Sequence, residues 1–457
     1  MKTSPFYKLF LCFIGFSMIQ NCEKMIEVEE PSNQISSQKV FEDVQTADAA
    51  LAALYGMLWD NSPVAGDQTG KLMGAYTDDL DYFVASSSTG LPDIYQNTQE
   101  ETNPQINTYW AKSYQCILTA NTILEGIRDT QTLPQKDKNR IKGEALLVRS
   151  LVCFYLQQIF GDIPFPSSTD YKINQSIGKT SGNQVLTLLE NDVIEAISLL
   201  SDDYRNTERI FLNRKAGQLL LAKIYMTQHQ WIKAEPVLKD IVTSPLYIYE
   251  NDLSKVFNKN GKHIIWQLKP KNSGNATKEA SAYYFNNTAP TSYALSTSLI
   301  NVFITSDLRK QNWMAKVQVG QNVWYRADKY KNRTSNTTEY SIVFRIEEAY
   351  LLLAETYAQQ DKTALALPYL NASRLRAGLS AIQLPISKND VLNEILLESR
   401  KEFFTEMGHR FLDMKRYGIL NTLQTVKPNW KTYHALWPIP QKELLLNPNL
   451  NPQNEGY

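Results

Sequence analysis

Apolar residues recur at three- and four-residue steps along most of this chain, the spacing of a buried stripe on an α-helix. Ala47, Ala50, Leu51, Leu54 and Leu58 form one stripe between Thr46 and Trp59. Ile117, Leu118, Ile123, Leu124 and Ile127 form a second between Trp110 and Ile127. Ala145, Val148, Val152 and Tyr155 form a third between Lys142 and Phe160. The third stops at Gly161-Asp162-Ile163-Pro164, where glycine accepts a left-handed turn and proline blocks continuation. Asn183 to Leu200 predicts another helix. The expected fold class is mainly α.

Self-comparison exposes an internal repeat. Leu219-Leu220-Leu221-Ala222-Lys223-Ile224-Tyr225 matches Leu351-Leu352-Leu353-Ala354-Glu355-Thr356-Tyr357 at an offset of 132. The match continues from Ala234, Pro236 and Leu238 to Ala366, Pro368 and Leu370. Each unit predicts a helix, a short polar turn and a second helix, a tetratricopeptide-like hairpin. The small alanines let the helices approach, and the large leucines and tyrosines fill the groove. Each proline lacks a backbone N–H, so it is expected near a helix start or at a bend.

Two segments lose this period. Residues 246–340 are rich in Asn, Thr, Ser and aromatics, and nine of the 48 residues from Tyr283 to Tyr330 are aromatic. Residues 60–108 carry Tyr76, Asp78, Asp79, Asp81, Tyr82, Phe83 and Tyr95. Rings interleaved with polar residues on loops suit sugar recognition, the ring covering a pyranose face and the polar groups taking its hydroxyls. Any single ring is better explained as a pin holding a loop to the body. As a set, Tyr76, Asp79, Tyr82, Tyr283, Tyr284, Trp313, Trp324 and Tyr325 are the candidate ligand-binding residues. Asp78, Asp79 and Asp81 could ligate calcium through oxygen, but their spacing fits a solvated or capping cluster better.

The amino terminus reads as an address. Lys2 and Lys8 precede an apolar run from Leu9 to Ile19, too short for a spanning helix of about 20 residues and typical of a secretory leader. It ends in Ile19-Gln20-Asn21-Cys22, which resembles a lipoprotein processing site with Cys22 as the lipidated residue, although Asn21 is larger than usual there. Lys+Arg and Asp+Glu are 47 each; the leader takes two lysines and no acid, leaving a net charge of −2. This balance disfavours a nucleic-acid partner and assigns membrane attachment to the lipid. Cys116 and Cys153 sit in apolar helical patterns, as buried thiols or as a disulfide. The four histidines form no metal-ligand pair, and nucleophile-elbow, phosphate-loop and dinucleotide motifs are missing. Nothing calls for a cofactor, and the expectation is a non-enzyme. A glycan hydrolase using carboxylates such as Asp78 or Glu100 is the minor alternative.

Several stretches together resemble SusD/RagB-type outer-membrane lipoproteins. They are Lys142 to Arg149 leading into Phe154-Tyr155-Leu156 and Phe160 to Pro164, then Phe344 to Glu355, then Asn371 to Gly378. Arg400, Glu402, Phe403, Glu406, Gly408, Arg410, Asp413, Arg416 and Gly418 follow, and then Trp437 to Pro440, Asn447-Pro448 and Gln453 to Tyr457. Ser150, Ser399, Met407 and Tyr417 depart from the family pattern. The resemblance implies four tetratricopeptide-like helix pairs and an irregular, loop-rich ligand-binding half. It implies a surface protein, lipid-anchored at Cys22 in the outer membrane, acting as a lid on a SusC-like TonB-dependent transporter. An oligosaccharide is the expected ligand and a peptide, as for RagB, the alternative. The organisation expected is a leader at 1–21, an N-terminal part at 22–245 and a C-terminal part at 246–457 with its loop-rich insertion at 246–340. Glu144, Arg149, Glu355, Arg374, Arg400, Glu402, Arg410 and Asp413 are expected to form partly buried ion pairs that fix packing.

Overall fold

A computed structural model describes residues 37–457; the leader at 1–21 and Cys22 lie outside the described residues. The main elements of the first half are α1 (Val44–Asn61), α2 (Thr69–Tyr76), β1 (Leu80–Tyr82), α3 (Leu91–Gln96), α4 (Pro104–Asp129), α5 (Gln135–Phe160), α6 (Gly182–Leu199), α7 (Arg214–Thr227) and α8 (Trp231–Val242). In the second half they are β2 (Ile264–Leu268), β3 (Tyr293–Leu295), β4 (Met314–Val319), β5 (Asn322–Ala327), β6 (Ser341–Arg345), α9 (Ile346–Gln359), α10 (Thr363–Arg376), α11 (Lys388–Phe403) and α12 (His409–Arg416). The protein is mainly α, with three two-stranded sheets among the described residues. No helix among them is long and apolar enough to cross a membrane.

Helix starts follow local chemistry. Asp43, Asn103, Ser181, Asn213 and Ser387 each accept backbone N–H groups at the first turns of α1, α4, α6, α7 and α11. Helix α5 is buried from Gly143 to Phe160 and forms the axis of the body. Gly143 lets α6 come close, because a Cβ there would lie 2.7 Å from Leu200. Cys116 and Cys153 are both free and buried, and burial pushes each thiol up to about 12.

The two repeat hairpins, α7–α8 and α9–α10, stack directly although more than a hundred residues separate them. Glu235 of α8 accepts hydrogen bonds from Gln360 (2.9 Å) and Lys362 (2.7 Å) in the second repeat's turn. Pro236 and Pro368 each occupy the sixth position of their helix, within its second turn. The excursion between the hairpins closes on an antiparallel ladder running from Ile264↔Arg345 to Leu268↔Ser341. The main core draws on both halves, from Phe41 to Ile439.

The excursion has a core of its own, and most of its aromatic richness lies there. Leu253, Phe257, Tyr283, Tyr293, Phe303, Trp313, Tyr330 and Phe404 pack together. Trp313 is 1 % exposed, meets Phe257 edge-on at 5.5 Å and donates its indole N–H to Leu253 O at 3.0 Å.

A buried charge network joins this core to the helices. Glu402 of α11 accepts from Arg376 of α10 and from Arg345, each at 2.5 Å. Arg309 of the excursion pairs with Asp307 (2.8 Å), Glu398 (2.5 Å) and Glu402 (3.4 Å). Lys329 bonds Glu406 (2.5 Å) and the carbonyls of Glu402 and Phe404 (2.8 Å each). Burial alone would raise the Glu402 carboxyl, but Arg376, Arg345 and Arg309 hold it far below the usual range. The other expected pairs also form: Arg149–Asp192 (2.6 Å), Arg416–Glu355 (2.7 Å), Arg416–Asp413 (2.8 Å) and Arg374–Glu394 (3.0 Å). Glu144 accepts from the Tyr55 hydroxyl at 2.7 Å.

Trp313→Ala removes a fully buried ring and should cost about 3–5 kcal/mol in chemical denaturation. Glu279 is buried against Gly66, and burial pushes its carboxyl up to about 7. A raised carboxyl favours the folded state while protonated, so that stability is complete below the ordinary value and is lost as pH rises toward 7. Glu279→Gln lacks this titration and should gain up to about 3 kcal/mol on the wild type between pH 4.5 and pH 8. Parallel pH profiles would show that Glu279 is not the protonated group.

Candidate functional site

The hairpin β4–β5 carries two of the candidate side chains, Trp324 and Tyr325. Its register runs from Met314↔Ala327 through Val317↔Trp324 to Val319↔Asn322, and Gly320 takes a positive φ of 61° at the turn. Strand alternation puts Trp324 and Arg326 on one face and Tyr325 on the other. Trp324 rests half-buried on Phe285, Ala294 and Val317. Tyr325 packs at the edge of the excursion core under the Lys310 ammonium, 5.5 Å from its ring centre.

Arg326 extends the Trp324 face. It donates to Phe285 O at 2.8 Å, pairs with Asp328 at 3.0 Å and lies 4.6 Å from the Tyr284 ring centre. Arg333 covers the same ring at 3.2 Å. A cavity of 170 Å³ opens here, lined by Tyr284, Arg326, Asp328, Lys331 and Arg333 among others. Three cations against one carboxylate make it locally basic, whatever the balance of the whole chain. A third ring group adjoins the hairpin, because β3 lies beside β5 and pairs with β1. Tyr82 packs on Tyr293 (centroids 4.8 Å) and Tyr95 (6.4 Å), with the neighbouring Phe83 43 % exposed.

The eight sequence candidates therefore divide. Tyr82, Tyr284, Trp324 and Tyr325 are partly exposed: Tyr284 and Trp324 lie on the Arg326 side of the hairpin, and Tyr82 and Tyr325 lie against the excursion core. Tyr76, Asp79, Tyr283 and Trp313 are buried, which corrects their expected place on a ligand surface. Tyr76 is packed by Phe411, Trp430 and Trp437 and donates to His434 O at 2.9 Å. Tyr283 and Trp313 belong to the excursion core. Asp79 accepts from Arg400 at 2.9 Å.

Asp78 pairs with Arg400 (2.9 Å) and Arg410 (2.8 Å). Burial would raise its carboxyl, yet the two guanidiniums bring it down to about 2. That anion is a packing group and cannot serve as a proton donor near neutral pH. Asp78 and Asp79 share Arg400, whereas Asp81 accepts from Tyr95 at 3.2 Å, so the three aspartates do not converge on one point. Among the described residues, no group of three or more His, Cys, Asp or Glu is arranged to hold a metal. Sequence reasoning missed Arg326 and Arg333 as site residues and named Phe83 among the loop rings without choosing it. The Trp324-x-Arg326 alternation was a usable signal for the first, since it places both on one strand face.

The fold agrees with that of related chains. Residues 24–226 match a family described as starch-binding, associating with the outer membrane, and residues 247–457 match the SusD family. SusD-like protein P25 of Formosa agariphila is 24 % identical, with 98 % of each chain covered. A solved SusD superfamily protein from Bacteroides vulgatus superposes with a TM-score of 0.81 at 20 % identity, covering 91 % of this chain and 99 % of that one. A laminarin-binding SusD-like protein superposes with a TM-score of 0.76 at 22 % identity, covering 90 % and 99 %. The matched segments together span almost the whole chain, so it belongs to the SusD/RagB family.

Proposed function

We propose that this protein captures an oligosaccharide at the outer surface of the cell and passes it, without chemical change, to a SusC-like TonB-dependent transporter. The observation that carries the reading is the strip formed by Trp324 and Arg326 of the β4–β5 hairpin with Tyr284 and Arg333 beside them. Trp324 offers a flat apolar face for a sugar ring, and the guanidiniums offer donors to its hydroxyls. The basic cavity accommodates an acidic sugar as readily as a neutral one. The resemblance of the fold to a laminarin-binding SusD-like protein supports a glycan as the ligand class. Lipidation at Cys22 would hold the protein to the outer membrane, in keeping with the family's described association. The sequence candidate Asp78 is locked between two arginines, which argues against the hydrolytic alternative.

Trp324→Ala should weaken glycan binding about tenfold, the worth of one stacking contact of roughly 1.4 kcal/mol. It should leave thermal stability near that of the wild type, because the ring lies at the edge of a small cluster. A glycan array on residues 23–457, followed by calorimetric titration of the hit, measures this. An unaltered affinity in Trp324→Ala, or binding of peptides and no glycan, would overturn the reading. Co-purification with the transporter tests delivery.

A further inference from the structure

The cavity beside the hairpin has room for a neutral sugar or an acidic one, but its unspent donors treat the two differently. Its lining sets Arg326, Lys331 and Arg333 against Asp328, a local excess of positive charge in a chain whose formal net charge is zero.

The three cations are not equivalent. Arg326 is largely engaged: its Nε (3.2 Å) and Nη2 (3.0 Å) donate to Asp328, and its Nη1 donates to Phe285 O (2.8 Å). Lys331 and Arg333 are exposed, and among the described residues neither side chain has a hydrogen-bond or ion-pair partner. Glu339 is buried and does not line the cavity. Its carboxylate accepts the backbone N–H groups of Lys331 (2.9 Å) and Asn332 (3.0 Å). Asn336 donates to Glu339 O (2.8 Å) and to Asn275 O (3.0 Å). The loop from Lys331 to Glu339 is thereby held before any ligand arrives, which lowers the ordering cost of binding.

Arg333 is also aimed. Its guanidinium carbon stands 3.2 Å from the Tyr284 ring centre. At that separation only face-to-face stacking keeps its nitrogens from clashing with the ring. A guanidinium carries its N–H groups in its own plane, so the stacked fork points past the ring and not into it. A planar carboxylate takes two such parallel donors at once, and the bonds are charge-assisted. A neutral hydroxyl gains neither advantage. Lys331 adds a point charge on the same cavity. Trp324 lies on the Arg326 face of the strand, two residues away and about 7 Å along it, so one saccharide chain can touch both ring and cavity.

We infer that the cavity is a carboxylate subsite for an acidic saccharide. Arg333 grips the carboxylate of a uronic acid residue, Lys331 stands beside it, and Trp324 stacks on a neighbouring sugar. The saccharide part rests on the glycan reading above; the anion preference rests on the unspent donors. The test titrates residues 23–457 with uronic acid oligosaccharides and with the same oligosaccharides after each carboxyl is reduced to a hydroxymethyl group. The acidic form should bind about tenfold tighter, the worth of one charge-assisted fork, and raising the salt should shrink the preference. Arg333→Gln should cut the preference to about threefold or less, a ratio that a general loss of fold or of stacking would not move. Trp324→Ala should weaken both forms and keep the ratio. Equal affinity for the two forms, binding of neutral oligosaccharides alone, or a preference unchanged in Arg333→Gln overturns the subsite and leaves the glycan reading standing. Tighter binding of sulfated than of uronic oligosaccharides overturns the carboxylate and likewise leaves that reading standing. Binding of acidic peptides and no glycan, or of nothing, overturns both.

Discussion

Glu402 is the point on which the docking of the excursion against the helices turns. It sits on α11 and reaches Arg376 of α10, Arg345 at the foot of α9 and Arg309 of the excursion. Each of these is itself tied to further acids. Counting Lys329 and Lys401, five bases meet Asp307, Glu347, Glu398, Glu402 and Glu406, all buried. Removing one member would leave an unmatched buried charge, at about 3–5 kcal/mol. Replacing the set by apolar residues of equal volume need not destabilise the chain. What the charges supply is registry, because an apolar contact tolerates several docking angles and a forked guanidinium pair tolerates few.

That registry matters because the excursion carries the candidate site. Residues 246–340 leave the helical stack between two hairpins that pack directly on each other. Their placement therefore depends on the ladder β2–β6, on the Arg309 and Lys329 anchors, and on the ring core around Trp313. Lys329 shows how closely these are joined. Its ammonium lies 3.9 Å from the Phe404 ring centre and bonds two carbonyls of the α11 end, so ring core and charge network share one residue. The hairpin that raises Trp324 is thus held from below by contacts no ligand would disturb.

Much of this was legible in the sequence, and the remainder was hidden for a physical reason. The repeat at an offset of 132, the mainly α class and the buried pairs of Glu144, Arg149, Glu355 and Arg400 could be read from spacing and resemblance. A helical stripe reports its own burial through its period. The excursion has short strands and long loops, so a tyrosine there carries no periodic mark of which way it faces. Tyr283 and Tyr284 are adjacent and both aromatic, yet one is core and the other lies under two arginines. Trp313 and Trp324 differ in the same way: one ends a helical turn pointing inward, the other stands on the outer face of a hairpin. Composition marked the region; only tertiary contacts could sort its rings.

The sorting changes what kind of binder this is. With six of the nine aromatics from Tyr283 to Tyr330 buried, the exposed strip is short and offers a few sugar-sized contacts. Its geometry is held in advance, which keeps down the ordering cost of binding, but a few stacking contacts of about 1 kcal/mol each give modest affinity. A modest, pre-shaped site suits a protein that must release its ligand onward, since tight retention would oppose transfer. A charged contact beside the stacking ring adds a second weak hold on the same glycan without tightening either contact. In such an arrangement the rigid body serves to keep several weak contacts at fixed spacing, and the glycan supplies the length that joins them.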